Sequence, residues 1–216
     1  MLEEMGSFFD ARLEGYEQHQ LDTIDSARVF YPFTAQCLPQ NAGARILDLG
    51  CGTGLELMET FRLNPTARVT GIDLAPGMLS ALREKFPDKA LELICGSYFN
   101  VPFGVEQYDA AVSVESLHHF TQAEKIPLYA RLHAALKPGG VFILTDYFAE
   151  TDEIERERRA ELLRLRREQH VEEGKFYHFD TPLTVLHELD ALRAAGFSAA
   201  EILVRWGPTV SIRATK

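Results

Sequence analysis

An acid and three alternating glycines follow an apolar run in the first quarter of the chain. Residues 46–54 read ILDLGCGTG, which places glycines at positions 50, 52 and 54. Glycine lets the backbone take positive φ and approach a ligand closely, and a helix that follows such a loop presents unpaired N–H groups. The spacing differs from the dinucleotide pattern G-x-G-x-x-G, because position 55 is leucine. The carboxylate of Asp48 would repel a pyrophosphate and attract a cation, so the loop predicts a site for a cationic adenosyl cofactor.

A second acid ends the next apolar run. Asp73 follows Gly54 by nineteen residues, where an acid accepts hydrogen bonds from ribose hydroxyls. Three further segments continue the pattern in order: LICGSY at 93–98, YDAAVSV at 108–114 and LKPGGVFIL at 136–144. With these elements, residues 42–148 resemble the class I S-adenosylmethionine-dependent methyltransferases. The resemblance implies S-adenosylmethionine (SAM) as the cofactor.

The resemblance also assigns residues to that cofactor. Asp73 is expected to bind both ribose hydroxyls. Relatives usually carry Gly-Asp-Ala at the third strand, with the Asp on the adenine amino group; this chain has Ser97 there, so a hydroxyl or a nearby backbone carbonyl must accept that bond. Tyr16 and Arg28, from a helical cap at the N-terminus, are expected as further contacts, or as ordinary surface residues. The complete predicted cofactor set is Tyr16, Arg28, Asp48, Gly50, Cys51, Gly52, Gly54, Asp73, Leu74, Met78, Gly96, Ser97, Tyr98 and Glu115.

Methyl transfer from a sulfonium is an in-line displacement, so the protein must mainly align and desolvate the acceptor. A general base is needed only when the acceptor carries a proton. The acceptor pocket is expected outside the carboxyl ends of the strands. Its predicted residues are Glu115, Ser116, His118, His119, Asp146, Tyr147 and Phe148. We predict His118, His119 and Tyr147 as the catalytic candidates and no metal; the alternative, that the histidines only pack or cap, stays open.

Composition sets limits on the function. The 216 residues are enough for one domain with a full core, and 46% hydrophobic with 25% charged residues is typical of a soluble protein. Without a membrane-length apolar run or a basic leader, we expect a cytoplasmic enzyme with no membrane partner. Cys37, Cys51 and Cys95 have no pairing or metal spacing, so we expect buried thiols. A net charge of −10 disfavours a nucleic-acid partner. A homodimer stays an open alternative.

Alternating strand and helix signals predict a Rossmann-like, doubly wound α/β fold. Its seven-stranded sheet is expected to be mostly parallel, with one antiparallel strand in a C-terminal hairpin. The predicted strands are 45–49, 68–72, 91–95, 108–114 and 140–147, followed by a hairpin of 200–206 and 209–214. The predicted helices between them are 54–63, 76–86 and 122–136. A capping box at 152–155 opens a further helix, and Thr181-Pro182 opens the last one, which Gly196 ends.

We interpret residues 1–216 as a single domain with four parts. These are a helical cap at 1–40, the cofactor-binding core at 42–148, a helical insertion or lid at 149–180, and the last helix and hairpin at 181–216. The arginines of 151–173 alternate with acids, which favours a solvated helix over a nucleic-acid surface. The aromatic residues of 172–180 must pack against other groups, either the protein core or the methyl acceptor. We predict methyl transfer to a small-molecule acceptor as the function. Two alternatives remain: a tRNA methyltransferase of the wobble-uridine type, and a SAM-binding relative that does not methylate.

Overall fold

The computed structural model describes residues 1–172 and 174–216. Over these residues the strands are β1 (Arg45–Leu49), β2 (Arg68–Asp73), β3 (Ala90–Cys95), β4 (Tyr108–Val114), β5 (Leu136–Tyr147), β6 (Ala199–Trp206) and β7 (Thr209–Thr215). The α-helices are α1 (Met5–Asp10), α2 (Tyr16–Thr23), α3 (Ala27–Gln36), α4 (Leu55–Leu63), α5 (Pro76–Lys85), α6 (Gln122–Ala135), α7 (Asp152–Glu168) and α8 (Val185–Ala194). A single 3-10 turn, Leu117–His119, follows β4.

Within the described residues, seven strands form one sheet in the order β3-β2-β1-β4-β5-β7-β6. Strand β7 runs antiparallel to both β5 and β6, and the other neighbouring strands are parallel. The predicted fold class is confirmed. The chain order reverses between β1 and β4, and the loops that leave their carboxyl ends diverge at that point to form a crevice. The glycine loop after β1 and the turn after β4 therefore face each other.

The core follows from side-chain alternation along the buried strands. Leu47 of β1 packs in the apolar cluster on one face of the sheet, while its neighbour Ile46 packs in the cluster on the other face. The cluster around Leu47 includes residues of α6 and α8, and the cluster around Ile46 includes residues of α3 and α4. Helices thus cover both faces of the sheet and exclude water from its central parallel strands. Trp206 packs beside Phe30 and Phe33.

Three helix starts differ from their predicted positions. Helix α4 begins at Leu55, because Gly54 has φ +73° and caps the helix from outside it. Helix α7 is capped by Thr151 rather than Asp152; the Thr151 hydroxyl accepts a hydrogen bond from the Ile154 N–H. Helix α8 begins after Thr184 rather than near Thr181. The cause is tertiary pairing: Ala149 N–H donates to Leu183 O at 2.9 Å and Ala149 bridges Thr184, which holds these residues extended.

Helix α7 has no buried residue, and its Arg164 pairs with Glu161 and Glu168 on the same helix. The interpretation of this helix as a solvated, ion-paired surface agrees with those contacts. Of the three cysteines, Cys51 is buried as expected, while Cys37 is only partly covered and Cys95 is exposed, so the expectation of buried thiols is wrong for Cys95. None of the described helices combines the length and apolar character needed to cross a bilayer.

Candidate active site

The glycine loop takes the conformation that its sequence predicts. Gly50 and Gly52 have φ of +75° and +45°, a region that favours glycine. A Cβ at Gly50 would lie 2.0 Å from the Ser116 hydroxyl oxygen, so no side chain fits there. The loop after β4 therefore lies directly against the loop after β1, and only a glycine at position 50 allows this approach.

Asp73 ties the glycine loop to the end of β2. Its Oδ2 accepts from the Gly52 N–H at 2.8 Å, and its Oδ1 accepts from the Ala75 N–H at 2.9 Å. Burial raises the pKa of Asp73, and these two N–H donors partly oppose that rise. The carboxylate also lines a pocket, where its remaining lone pairs are available to a ligand.

Asp48 and Glu56 form a pair of buried carboxyl groups beneath the loop. Neither oxygen of Asp48, nor Oε1 of Glu56, has a hydrogen-bond partner among the described residues. Burial, together with the adjacent Glu56, raises the pKa of Asp48 well above its usual range. Sequence reasoning missed Glu56; its signal was an acid in the first turn of a helix that a buried strand and loop precede. Unpartnered buried carboxyl groups at this point favour a ligand that brings positive charge.

A first pocket opens between the glycine loop and the N-terminal cap. It brings together eight residues of the predicted cofactor set with Met5, Phe9, Val114, Ser116 and His119. The eight are Tyr16, Gly50, Gly52, Asp73, Leu74, Met78, Tyr98 and Glu115. The cap residues Met5 and Phe9 were not in the predicted set, because no local spacing places them against the loop.

Six other members of the predicted set do not line this pocket. Asp48 and Cys51 lie buried behind it, and Gly54 packs against Leu82 and Leu57, where a Cβ would lie 2.5 Å from Leu82. Gly96 donates its N–H to Asp73 O, and the Ser97 hydroxyl accepts from the Phe99 N–H, so both order the loop after β3. Arg28 pairs with Asp22 on the exposed surface, away from the site. The alternative interpretation of Arg28 as an ordinary surface residue fits this position.

Two histidines and two aspartates meet beside this pocket. His118 Nδ1 lies 2.6 Å from Asp146 Oδ1, and its Nε2 lies 3.5 Å from Asp180 Oδ1. His119 Nδ1 lies 3.3 Å from the same Asp180 oxygen. Asp146 is buried and also accepts from the N–H groups of Leu117 and Tyr147, at 2.8 Å each. We call His118, His119, Asp146 and Asp180 the histidine cluster.

The surroundings change the pKa of each member of the cluster. Burial lowers the pKa of His118, but Asp146 and Asp180 more than offset this, so the net pKa is well above its usual value. Burial and the neighbouring His118 lower the pKa of His119. Burial raises the pKa of Asp146 and Asp180, but their histidine partners outweigh it and leave both pKa values lowered. Next to the cluster, burial and the charge of Asp146 raise the pKa of Glu115 to about 8.

A second pocket, of about 320 Å³, adjoins the first and shares Phe9, Tyr16, Glu115 and His119 with it. All three catalytic candidates, His118, His119 and Tyr147, line this second pocket. Of the other predicted acceptor residues, Ser116 faces the first pocket, Asp146 stands behind His118, and Phe148 is buried in the core. The remaining wall residues are Gln20, Ile24, Asp25, His178, Asp180, Pro208 and Thr209.

Residues 174–180 lie over this second pocket and are held by the N-terminal cap. The rings of His178 and Phe8 stack at 3.7 Å, and the His178 N–H donates to Glu3 O at 3.0 Å. Phe176 packs on Phe99 and Phe120, at the edge of the core. The aromatic residues of this segment thus divide between the two predicted roles: Phe176 packs on the core, and His178 lines the pocket. The prediction for Glu173 lies outside the described residues.

Residues 46–140 match the methyltransferase domain family. These residues contain the glycine loop, Asp73 and the turn with both histidines. Over this part the chain is similar to the SAM-dependent methyltransferases.

Solved structures agree with this fold. Human N-acetylserotonin methyltransferase in complex with SAM superposes with a TM-score of 0.62 at 20% identity, over 88% of this chain and 54% of that one. Among curated relatives, 24-methylenesterol C-methyltransferase 2 of Arabidopsis thaliana is 28% identical over 55% of this chain. The Arabidopsis tRNA (carboxymethyluridine(34)-5-O)-methyltransferase is 32% identical over 52% of it. The chain spans only 33% and 26% of the length of those two relatives.

The pocket residues fit the SAM cofactor of the family. The cofactor is cationic at its sulfonium and ammonium groups, and the unpartnered carboxyl groups of Asp48 and Glu56 lie beneath the pocket. Asp73 supplies acceptor oxygens, and Leu74 and Met78 supply an apolar wall. Gly50 and Gly52 let the backbone approach the ligand. The site therefore offers such a ligand acceptor oxygens and a backbone that it can approach closely.

Proposed function

We propose that this chain transfers a methyl group from SAM to a small-molecule acceptor that binds in the second pocket. One observation carries the proposal. The pocket on the glycine loop and the pocket on the histidine cluster are adjacent and share four wall residues. Methyl transfer requires two ligands in contact with each other. Two pockets with shared walls hold their ligands side by side.

When bound, SAM supplies an electrophilic methyl group on a sulfonium centre. The chain's own residues then have three tasks. Asp73 and the glycine loop fix the cofactor. Phe9 and Tyr16, which wall both pockets, exclude water where the two ligands meet. Any proton on the acceptor must leave through the polar side of the second pocket, where the histidine cluster lies.

The size and cover of the second pocket support a small acceptor. Its volume of about 320 Å³ lies at the lower end of the range of about 300–1,000 Å³ typical of small-molecule sites. His178 and Asp180 on one side and Phe9 and Tyr16 of the N-terminal cap on the other line it, and Ile24, Tyr147 and Pro208 add apolar wall. A net charge of −10, with Arg164 paired to its own helix, opposes a polynucleotide acceptor. We therefore place small molecules before RNA as the acceptor class.

A labelling experiment tests the acceptor class. Purified protein and SAM with a labelled methyl group are incubated in cell extract, which is then separated into small-molecule, RNA and protein fractions. We expect label in the small-molecule fraction, and a reaction with the Asp73→Ala variant serves as the inactive control. Label found mainly in RNA would replace the proposal with the tRNA alternative. An absence of transfer despite tight SAM binding would favour the non-methylating alternative.

Asp73→Ala should weaken SAM binding by roughly 1–3 kcal/mol, because the cofactor's hydroxyls lose a charged acceptor. The same change removes the acceptor of the Gly52 and Ala75 N–H groups, so the loop loses its anchor as well. Calorimetric titration with SAM measures the effect. Asp88→Ala removes an exposed aspartate between α5 and β3 and is the matched control. Equal SAM affinity for Asp73→Ala and the control would remove Asp73 from the cofactor site.

A further inference from the structure

His118 and His119 differ in the ring nitrogens that they leave free. His119 Nδ1 lies 3.2 Å from the Phe179 carbonyl oxygen and 3.3 Å from Asp180 Oδ1. Both neighbours are acceptors, so the proton of the neutral ring lies on Nδ1. The other nitrogen, Nε2, makes no hydrogen bond within the described part of the chain. Its lone pair is therefore available to a ligand.

His118 has no free nitrogen, and its charge affects His119. Its Nδ1 lies 2.6 Å from Asp146 Oδ1, and its Nε2 lies 3.5 Å from Asp180 Oδ1. Burial lowers the pKa of His118, but the two carboxylates outweigh this effect and favour the imidazolium. The ring centroids of His118 and His119 are 4.1 Å apart. Burial and this adjacent charge lower the pKa of His119, which leaves its ring uncharged near neutral pH.

His119 lies at the junction of the two pockets, because it is one of the four residues that wall both of them. The two nitrogens of an imidazole ring are directed apart, so Nε2 faces away from residues 179–180, which contact Nδ1. We propose that His119 Nε2 is the general base that accepts the proton of a hydroxyl group on the methyl acceptor. This inference rests on the proposed methyl transfer and narrows its acceptor to a hydroxyl compound.

A hydroxyl acceptor suits this base better than an amine does. A hydroxyl oxygen has lone pairs while it still carries its proton, so it attacks the methyl carbon as the proton passes to Nε2. The oxygen–carbon bond forms, the carbon–sulfur bond of the sulfonium breaks, and neutral thioether leaves; the proton later passes from His119 to bulk water. An ammonium group has no lone pair until it loses its proton, and an imidazole of lowered pKa is a much weaker base than an amine, whose pKa is about 10.

Asp180 stabilises the charge that His119 gains in this step. Asp180 Oδ1 is shielded from solvent and makes no hydrogen bond of acceptable geometry with the described residues. It lies 3.3 Å from His119 Nδ1, so the imidazolium has a carboxylate partner. The Thr181 N–H donates to His118 O at 2.9 Å, which holds Asp180 against the turn that carries both histidines. A histidine base with a fixed tautomer and a carboxylate behind the ring is the arrangement of the hydrolase triads.

NMR measures the state of both rings without an acceptor. The whole chain, with isotopically labelled histidine nitrogens, is saturated with SAM near neutral pH, and the variants His118→Gln and His119→Gln assign the signals. We expect a neutral His119 with its proton on Nδ1, and a doubly protonated His118. A proton on Nε2 of His119 would overturn the proposal, because the acceptor would then meet a donor.

Transfer to the small-molecule fraction of cell extract tests the catalytic role. SAM carries an isotopically labelled methyl carbon, whose NMR chemical shift in the product distinguishes O-methyl from N-, S- and C-methyl groups. We expect an O-methyl product, and a transfer rate in His119→Gln that is lower by about 100–10,000-fold. SAM affinity should be nearly unchanged, which shows that the variant is folded. His133→Gln changes a histidine of α6 beside Phe197, away from both pockets, and should match the parent protein.

The pH profile of the transfer rate shows which histidine is the base. In the parent protein the rate should rise with pH, with a midpoint below the ordinary histidine pKa of about 6.5, because the base acts when it is deprotonated. His118→Gln removes a charge that lowers the pKa of His119, so the rising limb should move to higher pH. Burial and Asp146 raise the pKa of Glu115 to about 8, so Glu115→Gln should keep the limb in place. The other titratable groups that face His119 are Tyr16, His178 and Asp180.

Transfer at the parent rate by His119→Gln, or a product methylated on nitrogen, sulfur or carbon, overturns this inference and leaves the proposed function intact. A rising limb that disappears in His118→Gln and persists in His119→Gln would also overturn it. Absence of transfer by the parent protein overturns the proposed function, whatever state NMR assigns to His119. The two proposals therefore fail separately.

Discussion

Gly50→Ala is expected to lower the affinity for SAM by roughly 100-fold or more, which corresponds to about 2.7 kcal/mol. Two unfavourable contributions add: backbone strain at position 50 and a steric contact of the new Cβ. Alanine at φ +75° costs roughly 1–2 kcal/mol relative to glycine. The new Cβ would also lie 2.0 Å from the hydroxyl oxygen and 2.6 Å from the Cβ of Ser116. The loop must move to relieve this contact, and its movement displaces the Gly52 N–H from Asp73.

The Gly139→Ala variant separates the backbone contribution from the steric one. Gly139 has φ +74°, nearly that of Gly50, but a Cβ there meets nothing within 4 Å. This control should lose stability by the backbone term alone and keep its SAM affinity. Denaturant unfolding and calorimetric SAM titration measure both quantities for each variant.

A second change tests the steric contact itself. Adding Ser116→Gly to Gly50→Ala removes both atoms that the new Cβ would meet. We expect the double variant to regain part of the lost SAM affinity, though Ser116→Gly also removes the serine hydroxyl beside Tyr98. If Gly50→Ala binds SAM as the Gly139→Ala control does, the close approach of the two loops is not needed for cofactor binding.

The features of this chain that the sequence predicts are those set by the local pattern of strands, loops and helices. Gly50, Gly52 and Asp73 lie at strand ends in a parallel sheet, and adjacency along the sheet follows from the pattern of strands and helices. The sheet order and most of the first pocket were therefore predictable. Gly54, Gly96 and Ser97 belong to the same motifs, but their contacts organise the loops and do not line the pocket.

The histidine cluster shows what the sequence could not predict. His118 and His119 were candidates because they follow a strand, yet their partner Asp180 lies about sixty residues away in a covering segment with no regular structure. The contact depends on one backbone bond from Thr181 to His118 and on packing against the N-terminal cap. Similarly, Thr181 was expected to cap a helix, but pairing with Ala149 extends residues up to Thr184. Long-range contacts decide the structure in both cases, and at Thr181 they override a local capping signal.

Lys125→Met is expected to lower the free energy of unfolding by about 3–5 kcal/mol. Lys125 of α6 and Glu188 of α8 form an ion pair at 2.5 Å, and both side chains are almost fully buried. The Tyr129 hydroxyl donates to the second oxygen of Glu188. Methionine has a similar volume, so the main loss is electrostatic: it leaves a buried carboxylate without its cation. The pair joins the helix after the histidine turn to the helix after the covering segment.

Two further variants show whether the loss comes from the unpaired charge. Lys137→Met breaks a pair with Asp109 that is partly exposed, and should cost no more than about 1 kcal/mol. The triple variant Lys125→Met, Tyr129→Phe, Glu188→Met removes every member of the buried network, and should recover most of the stability because no polar group is then stranded. Denaturant unfolding of all three gives the comparison. A loss of less than about 1 kcal/mol in Lys125→Met would mean that water reaches Glu188 between the two helices, and that apolar packing of α6 on α8 alone positions the elements on either side of the acceptor pocket.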